Sequence, residues 1–540
     1  MQSGSNILPA SRACRYGAPC AILACWLLAM PATHASGAPS LEIAPQIQEH
    51  GEFDAMLEAA FAPPARGSQR TFIVHFTAPA DGAARVANWR LELISPAGKT
   101  IRQWRGSHAL HDGDNRLRIR WRAPKLPAGI YDLRLAAGTR LGATASPIIR
   151  QRRPLAIGRP RPVAPAGLES LASLGFDVAY GNLHSQTNHS DGGGDPASCR
   201  GAQSPQQAPF GPGDAFRFAH RHGLDFLLTS EHNHMYDQAG PAAARQLFRL
   251  GRDNADDFNA AHPGFIALYG LEWGVIDGGG HLNILNSPAL LAWERDPNGE
   301  LFGDVETPKG DYAGLYALMQ AHGWIGQFNH PHASQFRING RPLAFDRNGD
   351  QAMALCEVMN TSAFSARLDE GETRHSFFEE SCNRLLEAGY HIAFSSNQDN
   401  HCANWGASYG NRTGILLPAG AARSPAVLLD AIRARRAFAT MDKHASIALT
   451  ANGRIMGQRF DNSGPLTLAL HYENRAGRGI AKVEFMAGVP GRNGAVQALA
   501  GASGMQHSFT PAPGPHFFYA RVTQDDGRML WSAPAWITQR

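Results

Sequence analysis

The sequence predicts an α/β region with a mostly parallel sheet, and a small β-sandwich on either side of it. Three observations support this fold class. The chain of 540 residues is too long for one hydrophobic core. Alternating apolar and polar runs, typical of half-buried strands, fill residues 41–150 and 445–540. Between them, residues 175–443 alternate continuous apolar runs with helical stretches, which indicates a sheet covered on both faces.

The overall composition is that of an ordinary globular protein, with 43% hydrophobic and 18% charged residues. The formal net charge of +4 is weak for this length, so we expect no nucleic-acid partner and no stable membrane insertion. The sequence contains no phosphate-binding loop, dinucleotide fingerprint or serine-nucleophile elbow. Its oligomeric state is left open.

Residues 1–35 have the features of a cleavable signal peptide. Arg12 and Arg15 precede an apolar run over residues 18–32, and small residues around Ala35 offer a cleavage site. The run is too short to span a bilayer. We therefore expect a periplasmic or secreted mature protein.

Four cysteines follow the signal segment, and they are Cys199, Cys356, Cys382 and Cys402. In an oxidising compartment they can form two disulfides by three connectivities, and the sequence does not choose among them. Their spacing argues against a zinc ion held by cysteines.

The two flanking regions are predicted from period-two patterns and turns. Residues 116–122 alternate arginine with apolar residues, which indicates a strand whose arginines face solvent. Residues 151–170, rich in proline and arginine, are predicted to be an extended linker. Near the C-terminus, a hairpin is predicted about Asp525-Asp-Gly527.

Histidines and carboxylates repeatedly follow the apolar runs of the central region. A single histidine at a strand end is more often structural than functional. Here, however, five clusters follow five runs, and the carboxyl ends of parallel strands converge on one place. The sequence therefore predicts a site for several metal ions. The clusters are His184-Ser-Gln186 with Asp191, Glu231-His232-Asn-His234, Glu272 with His281, Asn329-His330-Pro-His332, and Asp399-Asn-His401.

In this order, the motifs resemble those of the polymerase and histidinol phosphatase (PHP) superfamily of metal-dependent phosphoesterases. With the predicted export signal and C-terminal sandwich, the chain looks most like the carbaryl-hydrolase-like branch of that superfamily. The resemblance covers about residues 176–441. It implies a distorted (β/α)7 barrel, flanked here by N- and C-terminal β-sandwich domains of immunoglobulin type.

The resemblance also implies three metal ions. The implied ligands are His184, Gln186, Glu272 and Asp399 for the first ion, Glu272, His330 and His281 for the second, and Asp191, His232 and His401 for the third. The chain departs from the family pattern at two positions. Gln186 stands where the family usually has histidine, and a carboxamide is a poorer ligand, which leaves open whether two ions bind or three. Glu231 stands in place of aspartate, and we expect it to orient His232 without binding metal.

Imidazole and carboxylate ligands suit Mn2+, Zn2+ or Fe2+ without discriminating among them. Neighbouring ions can produce a bridging hydroxide. The resemblance implies that this hydroxide hydrolyses a small-molecule phosphoester. His234, His332 and Arg337 are predicted to lie at the leaving group, with His189 as a lesser candidate. Two alternatives remain open: a carbamate or carboxylic ester hydrolase using the same site, and a non-catalytic protein that binds ligands or glycans.

Overall fold

The computed structural model describes most of the chain from residue 53 onward. The described residues are 53–63, 69–78, 85–111, 115–141, 144–146, 148–163, 170–237, 240–274, 280–332, 337–338, 341–342, 344–492, 496–502 and 504–540. The predicted signal peptide, residues 1–35, lies outside them. None of the helices within these ranges is both long and apolar enough to cross a membrane.

The N-terminal region forms two antiparallel sheets that share one hydrophobic core. Its strands are β1 (Asp54–Ala59), β2 (Gln69–Thr77), β3 (Arg85–Ile94), β4 (Thr100–Leu110), β5 (Asn115–Arg122), β6 (Gly129–Leu141), β7 (Thr144–Ala145) and β8 (Ile149–Ile157). One sheet has the order β1-β2-β5, and the other has the order β4-β3-β6-β7 with β8 also paired to β6. Residues 151–157, the start of the predicted linker, therefore lie in a strand. Pro154 is tolerated there because β8 pairs only with β6.

The central region contains all six α-helices of the described chain. Its elements are β9 (Phe176–Asn182), α1 (Pro212–Arg221), β10 (Phe226–His232), α2 (Pro241–Ala261), β11 (Ile266–Trp273), β12 (Leu282–Ile284), β13 (Leu291–Ala292), β14 (Val305–Glu306), α3 (Tyr312–His322), β15 (Gly326–Phe328), β16 (Arg337–Ile338), β17 (Arg341–Pro342), α4 (Arg347–Ala352), β18 (Met353–Thr361), β19 (His375–Phe377), α5 (Glu379–Ala388), β20 (Ala393–Asn397), β21 (Arg412–Pro418), α6 (Pro425–Arg433) and β22 (Ala437–Thr440). Side-chain caps begin three of these helices, because Asp311 accepts from the backbone N–H of Gly314, Asp346 from that of Gly349 and Ser424 from that of Val427.

The C-terminal region consists of strands. They are β23 (Ala445–Ala451), β24 (Arg454–Ile455), β25 (Arg459–Asn462), β26 (Leu466–Asn474), β27 (Ile480–Gly488), β28 (Gln497–Ala498), β29 (Gln506–Phe509), β30 (Gly514–Gln524), β31 (Met529–Ser532) and β32 (Ala535–Gln539). Strands β30 and β31 pair antiparallel across the turn that contains Asp525-Asp-Gly527, where the hairpin was expected.

The predicted fold class, a distorted (β/α)7 barrel flanked by two sandwiches, is wrong. Strand accounts for 43% and helix for 16% of the described residues. One 16-stranded sheet runs in the order β19-β18-β15-β12-β11-β10-β9-β21-β22-β31-β30-β27-β28, with β20, β25 and β32 attached beside this path.

Strand direction explains the error. Strands β9, β10 and β11 are parallel and separated by helices, as the apolar runs suggested. However, β12 returns antiparallel to β11, and β21 is antiparallel to both β9 and β22. Strand β22 pairs with β31, so the C-terminal strands continue the central sheet. An apolar run indicates that a strand is buried, but it carries no information about direction.

Buried ion pairs join the three regions. Glu484 of β27 lies 3.0 Å from Arg521 of β30 and 3.3 Å from Arg152 of β8. Arg521 also lies 2.7 Å from Glu379 of α5. Burial alone would raise the pKa of Glu484, but the charges of Arg521, Arg152 and Lys482 outweigh it and hold the pKa well below its ordinary value. We call Arg152, Glu379, Glu484 and Arg521 the junction network.

The substitution Glu484→Gln tests the contribution of this network to stability. It removes the carboxylate but leaves two buried guanidinium groups, so we expect the free energy of unfolding at pH 7 to fall by about 2–3 kcal/mol. Chemical denaturation measures this change. The control is Glu300→Gln, which removes the exposed partner of Arg245 and should cost less than about 1 kcal/mol.

The junction network should also make the stability of the protein depend on pH in the acidic range. Because the pKa of Glu484 is lowered in the folded state, its contribution is present above the unfolded pKa of about 4.3 and is lost as the pH falls through the folded value. Below about pH 4.3, the free energy of unfolding of Glu484→Gln should therefore decline less steeply than that of the parent protein. If the free energy of unfolding depends on pH in the same way in both proteins, the junction network is not the source of the acid sensitivity.

Candidate metal centre

The predicted ligands lie at the ends of neighbouring strands of the large sheet. His184 and Asp191 follow β9, His232 ends β10, Glu272 lies near the end of β11, and the segment after β20 contributes two more ligands. The remaining two positions flank short strands, with His281 before β12 and His330 after β15. Every one of these side chains is buried, and the most exposed of them, His330, is only 6% exposed.

Glu272 is the carboxylate that the histidines share. Its Oε2 lies 2.7 Å from Nε2 of His184 and 3.6 Å from Nε2 of His232. Its Oε1 lies 3.0 Å from Nδ1 of His281 and 3.3 Å from Nε2 of His330. Four imidazoles from four segments of the chain therefore surround one buried carboxylate.

Three groups of side chains place their ligand atoms within 4.8 Å of one another. They are His184 with His330 and Asp399, Asp191 with His232 and His401, and His232 with Glu272 and His281. The second group consists of the residues that the resemblance assigns to the third ion. The other two groups divide the remaining ligands differently from the assignment, since His330 lies with His184 and His281 lies with His232.

Charges in the site compensate one another. Burial alone would raise the pKa of Glu272, but the imidazoles of His184, His232 and His281 hold it well below its ordinary value. Burial would likewise lower the pKa of His184, but the carboxylates of Asp399, Glu272 and Glu357 raise it. Buried carboxylates at this density require positive charge close by. Divalent cations fit this donor set of imidazoles and carboxylates.

Gln186 lies within the site, but its amide nitrogen faces Glu272. The Nε2 group donates to Oε2 of Glu272 over 2.6 Å, and the amide oxygen accepts from the hydroxyl of Ser190 over 3.1 Å. Asn329 donates to the other oxygen of Glu272 over 2.9 Å. Two carboxamides therefore fix the Glu272 carboxylate from both sides.

Glu357, in the middle of β18, was not among the predicted site residues. Its Oε1 lies 2.9 Å from Nδ1 of His184, and its Oε2 accepts the backbone N–H of His330 over 2.7 Å. Asn397 donates to Oε1 over 2.8 Å. By accepting from Nδ1, Glu357 directs Nε2 of His184 toward the centre. The one signal in the sequence was a carboxylate inside the apolar run Ala354-Leu-Cys-Glu-Val.

Glu231 holds a neighbouring loop, and its expected role in orienting His232 stays a prediction. Its carboxylate accepts from the backbone N–H and hydroxyl of Thr187, over 3.0 Å and 2.7 Å, and from the hydroxyl of Ser190 over 2.6 Å. These bonds fix the segment between His184 and Asp191. The longer side chain of glutamate thus reaches the backbone of the neighbouring loop.

The structure describes two of the three side chains predicted at the leaving group, those of His234 and His332. His234 is half-buried beside the centre, with its ring 5.6 Å from His232 and 5.8 Å from Trp293, and nearly parallel to the latter. His332 lies 3.9 Å from Asp54 of β1, toward the N-terminal region. The side chain of Arg337 lies outside the described residues.

His189, the lesser candidate, is buried. Its Nδ1 lies 2.7 Å from the hydroxyl of Tyr269, which in turn lies 2.5 Å from the hydroxyl of Tyr236. Burial lowers the pKa of His189 to about 3, so this imidazole is neutral at pH 7.

Two disulfides lie beside the centre. Cys199 pairs with Cys402, which directly follows His401, and this bond links the loop after Asp191 to the loop after Asp399 across 203 residues of sequence. Cys356 pairs with Cys382 and ties β18 to α5. A backbone hydrogen bond also joins the loop after Asp191 to the loop after Asp399, because Gly194 donates to the carbonyl of His401 over 3.0 Å.

Comparisons with known proteins give no family. No protein-family model matches the chain, and no curated protein matches it in sequence. Among solved structures, a β-glucuronidase of Parabacteroides merdae is 9% identical over 91% of this chain and 65% of that chain, with a TM-score of 0.15. A β-glucuronidase of Bacteroides uniformis is 10% identical over 90% of this chain and 61% of that chain, with a TM-score of 0.15. This chain therefore spans about two thirds of the length of these enzymes, and at such TM-scores the likeness carries no argument.

The substitution Glu357→Gln tests the role of Glu357 in positioning His184. The amide keeps the volume of the side chain but weakens the bond to Nδ1, so we expect metal affinity to fall about 10- to 100-fold. Titration with Mn2+ or Zn2+, followed by calorimetry, measures the change. Glu387→Gln, at a buried glutamate of α5, is the control and should keep the parent affinity. Equal losses in both variants would contradict the positioning role.

The double substitution Cys199→Ser with Cys402→Ser tests how the loops hold Asp191 and His401. Without the bond, both loops gain freedom, and we expect metal affinity to fall by about tenfold. The matched control removes Cys356 and Cys382, whose bond lies outside these loops. If both double variants bind metal equally well, the Cys199–Cys402 bond has no special role at the centre.

Proposed function

We propose that the chain is a metal-dependent hydrolase of small-molecule esters, with phosphoesters as the substrate class. The observation that carries the proposal is the position of Glu272, whose two oxygens lie within 3.6 Å of four imidazoles. Around it, three overlapping groups of buried imidazoles and carboxylates share ligands. The order of the motifs, which resembles that of the PHP superfamily, supports the same class of chemistry.

The side chains divide into three roles in this proposal. The first role is to hold two or three divalent cations, for which Mn2+, Zn2+ and Fe2+ are the candidates. The residues with this role are His184, His330, Asp399, Asp191, His232, His401, Glu272 and His281. When bound, the cations supply Lewis acidity and activate water for attack on phosphorus. Glu357 and Asn329 orient the ligands, and Gln186 fixes Glu272 without offering its oxygen to a cation.

His234 is the residue we assign to the leaving group. It is half-buried while the ligands around it are fully buried, so it lies on the side that a substrate can approach. Its ring is held against Trp293, close to His232. In this role it donates a proton to the departing oxygen.

We also propose that the protein works outside the cytoplasm. Two disulfides within the described residues favour an oxidising compartment. The predicted signal peptide points to the same place.

The substitution His232→Ala tests the proposal most directly, because His232 belongs to two of the three ligand groups. We expect the parent protein to hold at least two metal equivalents by elemental analysis, and the variant to lose at least one. Hydrolysis of a phosphomonoester should fall by about a hundredfold or more. The control, His322→Ala, removes an exposed histidine of α3 and should change neither value.

A parallel assay of a phosphomonoester, a phosphodiester and an aryl carbamate identifies the substrate class. Turnover of the carbamate alone would overturn the phosphoester assignment but keep the metal centre. Less than one metal equivalent in the parent protein, together with no turnover, would leave only a non-catalytic binding function.

A further inference from the structure

Positive charge is concentrated in the N-terminal region. Residues 53–157 contain 17 Lys and Arg against 7 Asp and Glu, a net charge of +10, although the whole chain carries only +4. The rest of the chain therefore carries a net charge of −6. The weak overall charge conceals one strongly basic region, and such asymmetry indicates an anionic partner.

Four of these arginines form a line along β5. Arg116, Arg118, Arg120 and Arg122 are all exposed, and because they alternate with inward-facing residues they lie on one face of the strand. Their Cα atoms repeat about every 6.8 Å, so the line is about 20 Å long. Among the described strands, β5 is at the edge of its sheet and pairs with β2 alone. We call these four residues the arginine row.

Little negative charge faces this row within the described part of the region. The residues of β2 opposite Arg118, Arg120 and Arg122 are Ile73, Thr71 and Gln69, which are uncharged. Two carboxylates of β1 share the face by register, those of Asp54 and Glu58. Glu58 is hydrogen-bonded to His75 over 3.0 Å, and Asp54 accepts from the hydroxyl of Ser376 over 2.8 Å. Adjacent guanidinium groups repel one another, and nothing on β2 offsets that repulsion.

We propose that the arginine row binds a linear acidic polysaccharide that carries carboxylate groups along its length. Guanidinium groups bind carboxylates through paired hydrogen bonds, and a row with a regular repeat suits a polymer with regularly spaced charges. The two disulfides favour an oxidising compartment, as proposed above, and such a compartment disfavours a nucleic acid.

A membrane surface fits this face less well. The exposed large hydrophobic side chains of the described chain are Val86, Ile148, Leu250, Phe345 and Leu368. None of them lies on β1, β2 or β5. A surface that enters a lipid interface usually adds such side chains to its basic residues, and the arginine row has none beside it.

The test uses the full mature protein and polygalacturonate as the probe, with neutral dextran of similar length as the reference. Binding is measured by calorimetry at low and at moderate salt. We expect polygalacturonate to bind and dextran not to bind. The triple substitution Arg118→Gln, Arg120→Gln and Arg122→Gln should weaken binding about tenfold or more and reduce its dependence on salt.

A matched control separates the row from net charge. Arg221→Gln, Arg347→Gln and Arg492→Gln also remove three exposed arginines, but from other surfaces. This control should keep the parent affinity, and circular dichroism should show both triple variants folded. Equal weakening in both variants would overturn the proposal. Binding of a single-stranded polynucleotide or of phosphatidylglycerol vesicles, with no binding of polygalacturonate, would overturn it as well.

Discussion

The carboxylate of Glu272 is the constraint on which the arrangement of the site depends. In the parallel pairing of β10 with β11, His232 lies directly opposite Glu272, so strand register alone brings these two side chains together. In the antiparallel pairing of β11 with β12, Asn283 lies opposite Glu272, and His281 enters two residues earlier. A shift of one residue in either pairing would turn the ligands to the opposite face of the sheet. The geometry of the centre is therefore set by backbone pairing.

A buried polar layer supports this carboxylate and its ligands. Its hydrogen bonds are 2.7–2.9 Å long. Glu357 bonds to His184 and His330, Asn329 bonds to Glu272 and Asn283, and Asn397 bonds to Glu357. Polar groups at this depth are costly unless they are paired, and paired they fix one arrangement. The loops that end in Asp191 and His401 are then joined by backbone hydrogen bonds and a disulfide. These hydrogen bonds and the disulfide thus hold the site residues in one arrangement.

The sequence predicted which side chains lie together better than it predicted the fold, for a physical reason. A side chain at the end of a buried strand faces the same edge of the sheet as its neighbours, and this gathers His184, His232 and Glu272 even though the barrel is wrong. The direction of each strand was not predictable from the sequence, because the short run of β12 is as apolar as a parallel strand would be. Glu357 was missed because it lies inside a strand, and only the pairing of β18 with β15 and β20 brings it beneath His184. The arginines of β5 were predicted to face solvent, but their significance emerges only from the charge of the surrounding sheet.

The N-terminal region is held to the rest of the chain by directional contacts. Arg152 joins Glu484, and Arg153 donates both to the carbonyl of Leu57 and, over 3.3 Å, to that of Thr373. Gln151 accepts the backbone N–H of Phe377 over 2.9 Å. These three residues begin the segment in which the sequence indicated an extended linker, and in the structure they belong to β8. Buried charges and hydrogen bonds have preferred directions, so they fix orientation in a way that an apolar contact does not. The arginine row, which we propose binds a polymer, is consequently held in a fixed relation to the candidate metal centre.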